Sequence, residues 1–315
     1  MMEEKYAIEI NDLHKYYDEV KAVEGVSLQI EAGSVFSLLG PNGAGKSTTI
    51  SVISGLLRPN QGEAAILGHS ITREPQKAKA HIGVVPQEIA LYEDLTAREN
   101  LSFWGRMYGL RGAELKERVD AILDLIELTE RQHSKVEKYS GGMKRRLNIG
   151  VALLHEPDIV IMDEPTVGID PQSRRKILDS VKALNKEGMT VLYTTHYMEE
   201  AQELSDRIAI IDHGKVIAEG THEELVKIVG ELDRIELTFN TEITEKLDEW
   251  SSLPGVQTVT PDTDAATLLV DDSDLVLPHL FEAAAKEHLR ITSVNVHEPN
   301  LETVFLHLTG RALRE

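Results

Sequence analysis

The run Gly40-Pro41-Asn42-Gly43-Ala44-Gly45-Lys46-Ser47-Thr48 constrains this chain more than any other part of it. It fits the pattern G-x-x-x-x-G-K-[ST], follows a strand-like run from Ser34 to Leu39, and precedes a helix-like run from Thr48 to Leu57. Strand, glycine-rich turn and helix in that order make a cradle for phosphate. The glycines let successive backbone N–H groups point inward, and the helix N-terminus adds partial positive charge. In such a cradle Lys46 would reach the β- and γ-phosphates of a nucleotide, and the Ser47 hydroxyl would sit on Mg²⁺.

A second motif says what could be done with that phosphate. Asp158 introduces the apolar run Ile159-Val160-Ile161-Met162, which ends in Asp163-Glu164-Pro165-Thr166. An uninterrupted apolar run of this length reads as a parallel strand buried on both faces, delivering acids to the C-terminal edge of a sheet. Asp163 would hold Mg²⁺ through water, and Glu164 would polarise the water that attacks the γ-phosphate.

Tyr139-Ser140-Gly141-Gly142-Met143 decides the kind of phosphate-loop ATPase. Taken with Gln87 after the strand Ile82 to Val85, Asp170 in Gly168-Ile169-Asp170, and His196 after Thr190 to Thr195, it resembles the ATP-binding cassette (ABC) family over about residues 5 to 230. The motifs stand in that family's order. The signature departs from the commonest form, Leu-Ser-Gly-Gly-Gln, but keeps the serine and second glycine that carry the phosphate contact.

The resemblance implies a fold and a mechanism. The fold would be α/β: an ABC-type phosphate-loop core over residues 1–230, with an antiparallel β subdomain and a helical subdomain inserted at about 92–155. Two copies would pack head to tail, so that each ATP lies between the loop of one (Gly40, Asn42, Gly43, Ala44, Gly45, Lys46, Ser47 and Thr48) and the Ser140-Gly141-Gly142 turn of the other. Gln87 would ligate Mg²⁺ beside Ser47 and Asp163 and sense the γ-phosphate. His196 would contact that phosphate and help hold the attacking water, and Asp170 would link the two sites. Tyr17 fits the aromatic that stacks on adenine, although its neighbour Tyr16 could serve instead, and stacking alone does not exclude GTP. Lys144-Arg145-Arg146 opens the helix after the signature turn and reads as a solvated or phosphate-facing helix end.

Composition narrows the partners. A formal charge of −20 on 315 residues argues against binding nucleic-acid backbones, which call for clustered basic surface. The absence of cysteine suits a reducing compartment. No apolar stretch approaches the roughly 20 residues that span a bilayer, and Met1-Met2-Glu3-Glu4-Lys5 is no signal peptide. The expectation is a cytoplasmic protein, peripheral on the inner face of the membrane through a separate permease that supplies the path.

Two stretches have a different texture. From Tyr92 to Lys138, Leu101, Trp104, Met107 and Tyr108, then Leu115, Val119, Ile122, Leu123 and Ile126, recur at helical spacing. In the ABC family this helical part receives the permease, which points to Leu91 to Asn100 for that contact; the stripe Phe103-Trp104-Tyr108 reads as core. After the helix expected over Thr221 to Val229, residues 231–315 read as strand (Arg234 to Phe239), helix (Glu242 to Trp250), strands (Val256 to Thr260, Thr267 to Val270), helix (Asp274 to Glu287, with Pro278 delaying or kinking its start) and strand (Ile291 to Val296). That β-α-β-β-α-β order is ferredoxin-like. The tail Glu298 to Arg311 adds a helix with Asn300 as cap and Leu301, Val304, Phe305 and Leu308 on one face. It is similar to the C-terminal tail of the daunorubicin-resistance type of ABC ATPase, whose permease is a separate polypeptide. The expected function is the ATPase subunit of an ABC exporter using ATP and Mg²⁺, with self-association through the C-terminal domain. An importer ATPase and a soluble non-transport ABC ATPase are the alternatives.

Overall fold

Every residue of Val35–Leu39, Ile159–Asp163 and Thr190–Thr195 is buried, and these three runs form the middle of a six-stranded sheet. The order across it is Lys215–Gly220, Arg207–Asp212, Val35–Leu39, Thr190–Thr195, Ile159–Asp163, Ile82–Val85. All neighbours are parallel except the edge strand Lys215–Gly220. Parallel strands covered on both faces have no solvent side, which is why their sequences are nearly continuous in apolar residues. The computed structural model describes residues 5–228, 230, 232–241, 243, 247–297 and 300–309, and the chain divides into one unit up to His222 and a second from Glu223.

In the first unit, alternate side chains of the central sheet enter two cores. Phe36, Leu38, Ile161, Leu192 and Ile211 pack with the helix Lys46–Ile53 and with a four-stranded antiparallel sheet made by Tyr6–Tyr17, Val20–Glu31, Gln61–Ile66 and His69–Ser70. Val85, Val160, Met162 and Val191 face the other way, into a core shared with the helical region. That region comprises Ala97–Met107, Gly112–Leu125 and Gly141–Ala152, with short 3₁₀ turns at Thr129–Arg131 and Val136–Lys138. A capping box starts its first helix: Thr96 Oγ1 accepts from the Glu99 N–H, and the Glu99 carboxylate accepts from the Thr96 N–H.

The expected apolar stripe of this region divides. Leu101, Leu115, Val119, Ile122, Leu123 and Ile126 are buried and Trp104 is half-buried, whereas Met107 and Tyr108 are exposed. Phe103 and Trp104 join Tyr92 in an aromatic cluster, with centroids 4.9 and 6.4 Å from the Tyr92 ring. Tyr108 instead stacks on His155 at 4.1 Å. It is therefore an exception to the reading of Phe103-Trp104-Tyr108 as one core stripe.

The second unit has the strand order Val256–Pro261, Ala265–Val270, Asp233–Phe239, Ile291–His297, all antiparallel. Pairing the first strand with the third and fourth is the split arrangement of a ferredoxin-like sheet. The helix expected over Glu242 to Trp250 is seen only as a 3₁₀ turn, Asp248–Ser252; residues 242 and 244–246 lie outside the described ones. Pro278 does not delay its helix. Ser273–Lys286 starts where Asp272 accepts from the N–H groups of Asp274 and Leu275, so the proline falls inside. There it removes one intrahelical bond without stopping the helix. The helix at the start of this unit is short, His222–Val226, with residue 229 outside the described ones. The last helix, Leu301–Thr309, is capped by Asn300, buries Leu301, Val304 and Phe305, and leaves Leu308 half-buried; residues 298, 299 and 310–315 of the tail lie outside the described ones.

Trp250 anchors the second unit's core. It is fully buried, donates from Nε1 to Glu287 Oε1 at 3.0 Å, and meets Phe239 edge-on at 5.9 Å. Trp250→Ala is expected to destabilise this unit by about 3–5 kcal/mol. Denaturant unfolding followed by circular dichroism should show an earlier transition, and an unmoved midpoint would contradict this account of the packing.

Candidate functional site

Register places four strand ends at one edge of the central sheet. Leu39 pairs with Thr195, Asp163 with Thr194, and Val85 with Met162, so Gly40, Glu164, His196 and Gln87 all follow strands that stop together. Outside the carboxyl ends of the strands is where an open parallel sheet offers a crevice. A cavity of about 460 Å³ opens there, lined by Asn42, Gly43, Gly45, Lys46, Ser47 and Thr48, by Val20 to Ala22, and by Gln87, Glu164 and His213.

The loop's glycines are needed for conformation and for space. Gly43 and Gly45 have φ of 81° and 108°, in the left-handed region, and a Cβ on Gly45 would lie 2.5 Å from the Ala22 carbonyl. Lys46 opens the helix and is only 4% exposed. Its ammonium donates to the Gly40 and Pro41 carbonyls at 2.7 and 3.0 Å and lies 3.0 Å from Glu164 Oε1.

Glu164 is the meeting point of these elements. Its backbone has φ 45°, a conformation costly for a non-glycine residue, and is held there by bonds from its N–H to both the carbonyl and the hydroxyl of Thr194. Its carboxylate takes Lys46 on Oε1 and the Gln87 amide on Oε2 at 3.1 Å, while His196 Nδ1 stands 3.5 Å from Oε1. That imidazole nitrogen is buried without a hydrogen bond. Thr194 also donates to Asp163 Oδ1 at 2.6 Å, fixing one oxygen of that carboxylate. A buried carboxylate with a cation, an amide and an imidazole each within 3.5 Å of it can bind an anion and take a proton from a neighbouring water.

Sequence reasoning missed Arg145. It is not part of a solvated or phosphate-facing helix end: its guanidinium is 4% exposed and donates to the carbonyls of Pro86 and Gln87 at 2.8 and 2.6 Å. Burial pulls its pKa below the usual arginine value. The signature helix is thereby fastened to the segment carrying Gln87. Arg146 turns inward too, donating to the Ile126 carbonyl at 2.7 Å. Thr194 was missed as well, since a threonine in a strand carries no signal of its own.

The remaining expected residues stand apart from the cavity lining. Ser140 caps Gly141–Ala152 by accepting from the Met143 N–H at 3.3 Å. Gly142 is pressed against Ser173, where a Cβ would come within 2.0 Å of Oγ. Asp170 caps Pro171–Lys186, and the Ser173 N–H and hydroxyl hold its carboxyl below the ordinary range. Tyr16 and Tyr17 differ clearly. Tyr16 bonds through its hydroxyl to His14 Nδ1 at 2.8 Å, whereas the Tyr17 ring is 45% exposed with the Lys15 ammonium 5.4 Å above it.

Residues 23–167 match the model of the family described as ABC transporter, and residues 229–309 match the one described as ATP-binding protein DrrA1-3-like, C-terminal domain. The chain is 50% identical over 312 residues to the linearmycin resistance ATP-binding protein LnrL of Bacillus subtilis (strain 168), covering 98% of this chain and 100% of that one. It is 42% identical to the daunorubicin/doxorubicin resistance ATP-binding protein DrrA of Streptomyces peucetius, over 96% of this chain and 92% of the other. Among solved structures, a dimeric ATP-binding cassette in a post-hydrolysis state bound to ADP and Pi superposes with a TM-score of 0.62 at 31% identity, over 68% of this chain and 98% of that one.

Proposed function

This chain belongs to the ABC transporter family, and on that premise we propose how its residues perform the work of an exporter's ATP-binding and hydrolysing subunit. The observation that carries the reading is the convergence on Glu164 of Lys46, Gln87 and His196, each delivered by a different segment. Lys46 and the N–H groups of the loop bind the β- and γ-phosphates, and Tyr17, the freer of the two adjacent tyrosines, stacks on adenine. Glu164 accepts a proton from the water that attacks the γ-phosphate, His196 holds that phosphate, and Gln87 reports its presence to the helical region through the backbone that Arg145 grips.

Ser47, Asp163 and Gln87 offer only hard oxygen donors, the kind Mg²⁺ takes. Thr194 occupies one Asp163 oxygen, and the Gln87 amide nitrogen is spent on Glu164, so each side chain keeps an oxygen to give. Bound there, Mg²⁺ neutralises the charge that builds on the phosphates.

The site is completed by a second copy, whose Ser140-Gly141-Gly142 turn closes over the nucleotide and whose Asp170 segment approaches it; the C-terminal unit reinforces that pair. In this reading the membrane path belongs to a separate permease; among the described residues no helix is long and apolar enough to cross a membrane. The protein then works in the cytoplasm, on the inner face of the membrane, with the helical region around Leu91 to Asn100 against the permease.

The test is capture of tagged Glu164→Gln protein with ATP and Mg²⁺ from its native membranes, with partners identified by mass spectrometry. A multi-span permease and no soluble substrate-binding protein is expected. A binding protein in the complex would turn the reading to import, and solely soluble partners would end the transport reading.

A further inference from the structure

A second buried carboxylate lies behind the hydrolytic residues. Glu200, on the helix Met198–Leu204, is 3% exposed. One of its oxygens, Oε2, accepts three hydroxyls: Thr166 and Tyr193 at 2.9 Å and Thr195 at 3.0 Å. The other, Oε1, faces Arg174 Nε at 3.5 Å, and neither of these atoms has a hydrogen bond. Arg174 also lies over the Tyr197 ring, with its guanidinium carbon 4.3 Å from the centroid. Tyr197 is in turn against His196 at 4.2 Å, and its N–H donates to the Thr195 hydroxyl at 2.9 Å.

Each partner belongs to a segment with a part in the site. Thr166 is in the turn that begins at Glu164, which the Val167 N–H closes onto the Glu164 carbonyl. Thr195 and Tyr197 flank His196. Arg174 is one turn into the helix that Asp170 caps, and its N–H bonds the Asp170 carbonyl at 2.9 Å. A buried carboxylate shared by three hydroxyls and facing one cation is a stiff junction, because losing any partner leaves a buried charge less compensated.

We propose that Glu200 and Arg174 form a positioning pair, tying the Asp170 helix to the His196 and Glu164 segments so that the hydrolytic residues are aligned only when that helix is in place. The inference rests on the proposed hydrolytic roles and adds what holds them in register. Neither residue lines the nucleotide cavity, so the pair acts through other side chains and leaves nucleotide binding alone.

The test uses the full chain and measures single-turnover ATP hydrolysis, MgATP affinity and the thermal midpoint for Glu200→Gln, Arg174→Gln, Arg174→Lys and the double Gln variant. Either Gln substitution is expected to slow hydrolysis roughly ten- to a hundredfold by misplacing reacting groups. MgATP affinity should stay at the parent value, and the double variant should be no slower than the worse single. Arg174→Lys, which keeps the charge, should recover part of the rate. Parent-rate hydrolysis in folded Arg174→Gln, losses that multiply in the double variant, or affinity falling in step with rate would each overturn the pairing. If Glu200→Gln does not fold, the two Arg174 variants decide, since that side chain is 35% exposed and tolerates change. Glu164→Gln is run alongside. Normal turnover there would indict the hydrolytic roles and not the pair.

Discussion

Glu164→Gln is expected to lower ATP turnover by roughly 10²- to 10⁴-fold, the usual contribution of a positioned general base. Glutamine has the same shape, so it can keep the backbone bonds to Thr194 and a contact with Gln87, but it cannot take a proton from water. The phosphate loop is untouched, so ATP should bind as before and hold two copies together. Steady-state phosphate release gives the rate, and sedimentation with and without ATP gives the dimer. Turnover at the parent rate would remove Glu164 from the role of base.

Lys46→Ala should act on binding. The ammonium it deletes is buried, lies against two loop carbonyls and the Glu164 carboxylate, and is the group that, in the proposed function, would take a nucleotide's terminal phosphates. Losing a charge-assisted contact of that kind costs about 3 kcal/mol, on the order of a hundredfold in Kd. The same change leaves Glu164 buried without its cation. Calorimetric titration of MgATP, on protein checked for folding by circular dichroism, measures this. An affinity near the parent's would argue against the lysine as the phosphate anchor.

The division between what was legible and what was not follows the distance over which each signal acts. The glycine loop could be read because its chemistry is local: the turn, the left-handed glycines and the helix start lie within a few consecutive residues. The strand before Glu164 could be read because a run buried on both faces must be apolar throughout. The role of Arg145 could not. In the sequence it is one of three adjacent basic residues, and only the packing of its helix beside Pro86 and Gln87 turns it inward. The same holds for Tyr16 and Tyr17, which local sequence leaves equivalent and which the bond from Tyr16 to His14 separates.

The C-terminal unit shows the limits of periodicity. Its strand order agrees with the β-α-β-β-α-β reading, and Asp233–Phe239 and Ala265–Val270 carry the two-residue alternation that makes a strand legible. Pro278 could have delayed or kinked the start of the helix expected over Asp274 to Glu287, yet the helix begins at Ser273, since the Asp272 cap and the burial of Val276 and Leu280 outweigh one missing hydrogen bond.

By itself, the sequence determined the glycine loop between strand and helix, the acids that follow a buried strand, the family, and the succession of strands in the second unit. These depend on neighbours along the chain, where spacing alone sets geometry. Tertiary structure decided which side chains meet: that Lys46, Gln87 and His196 converge on one carboxylate, that Arg145 holds the Gln87 segment, and that Glu200 joins three separate segments. Such meetings depend on strand order and register across the sheet. A buried charge is stable only where the folded chain brings its partners to it.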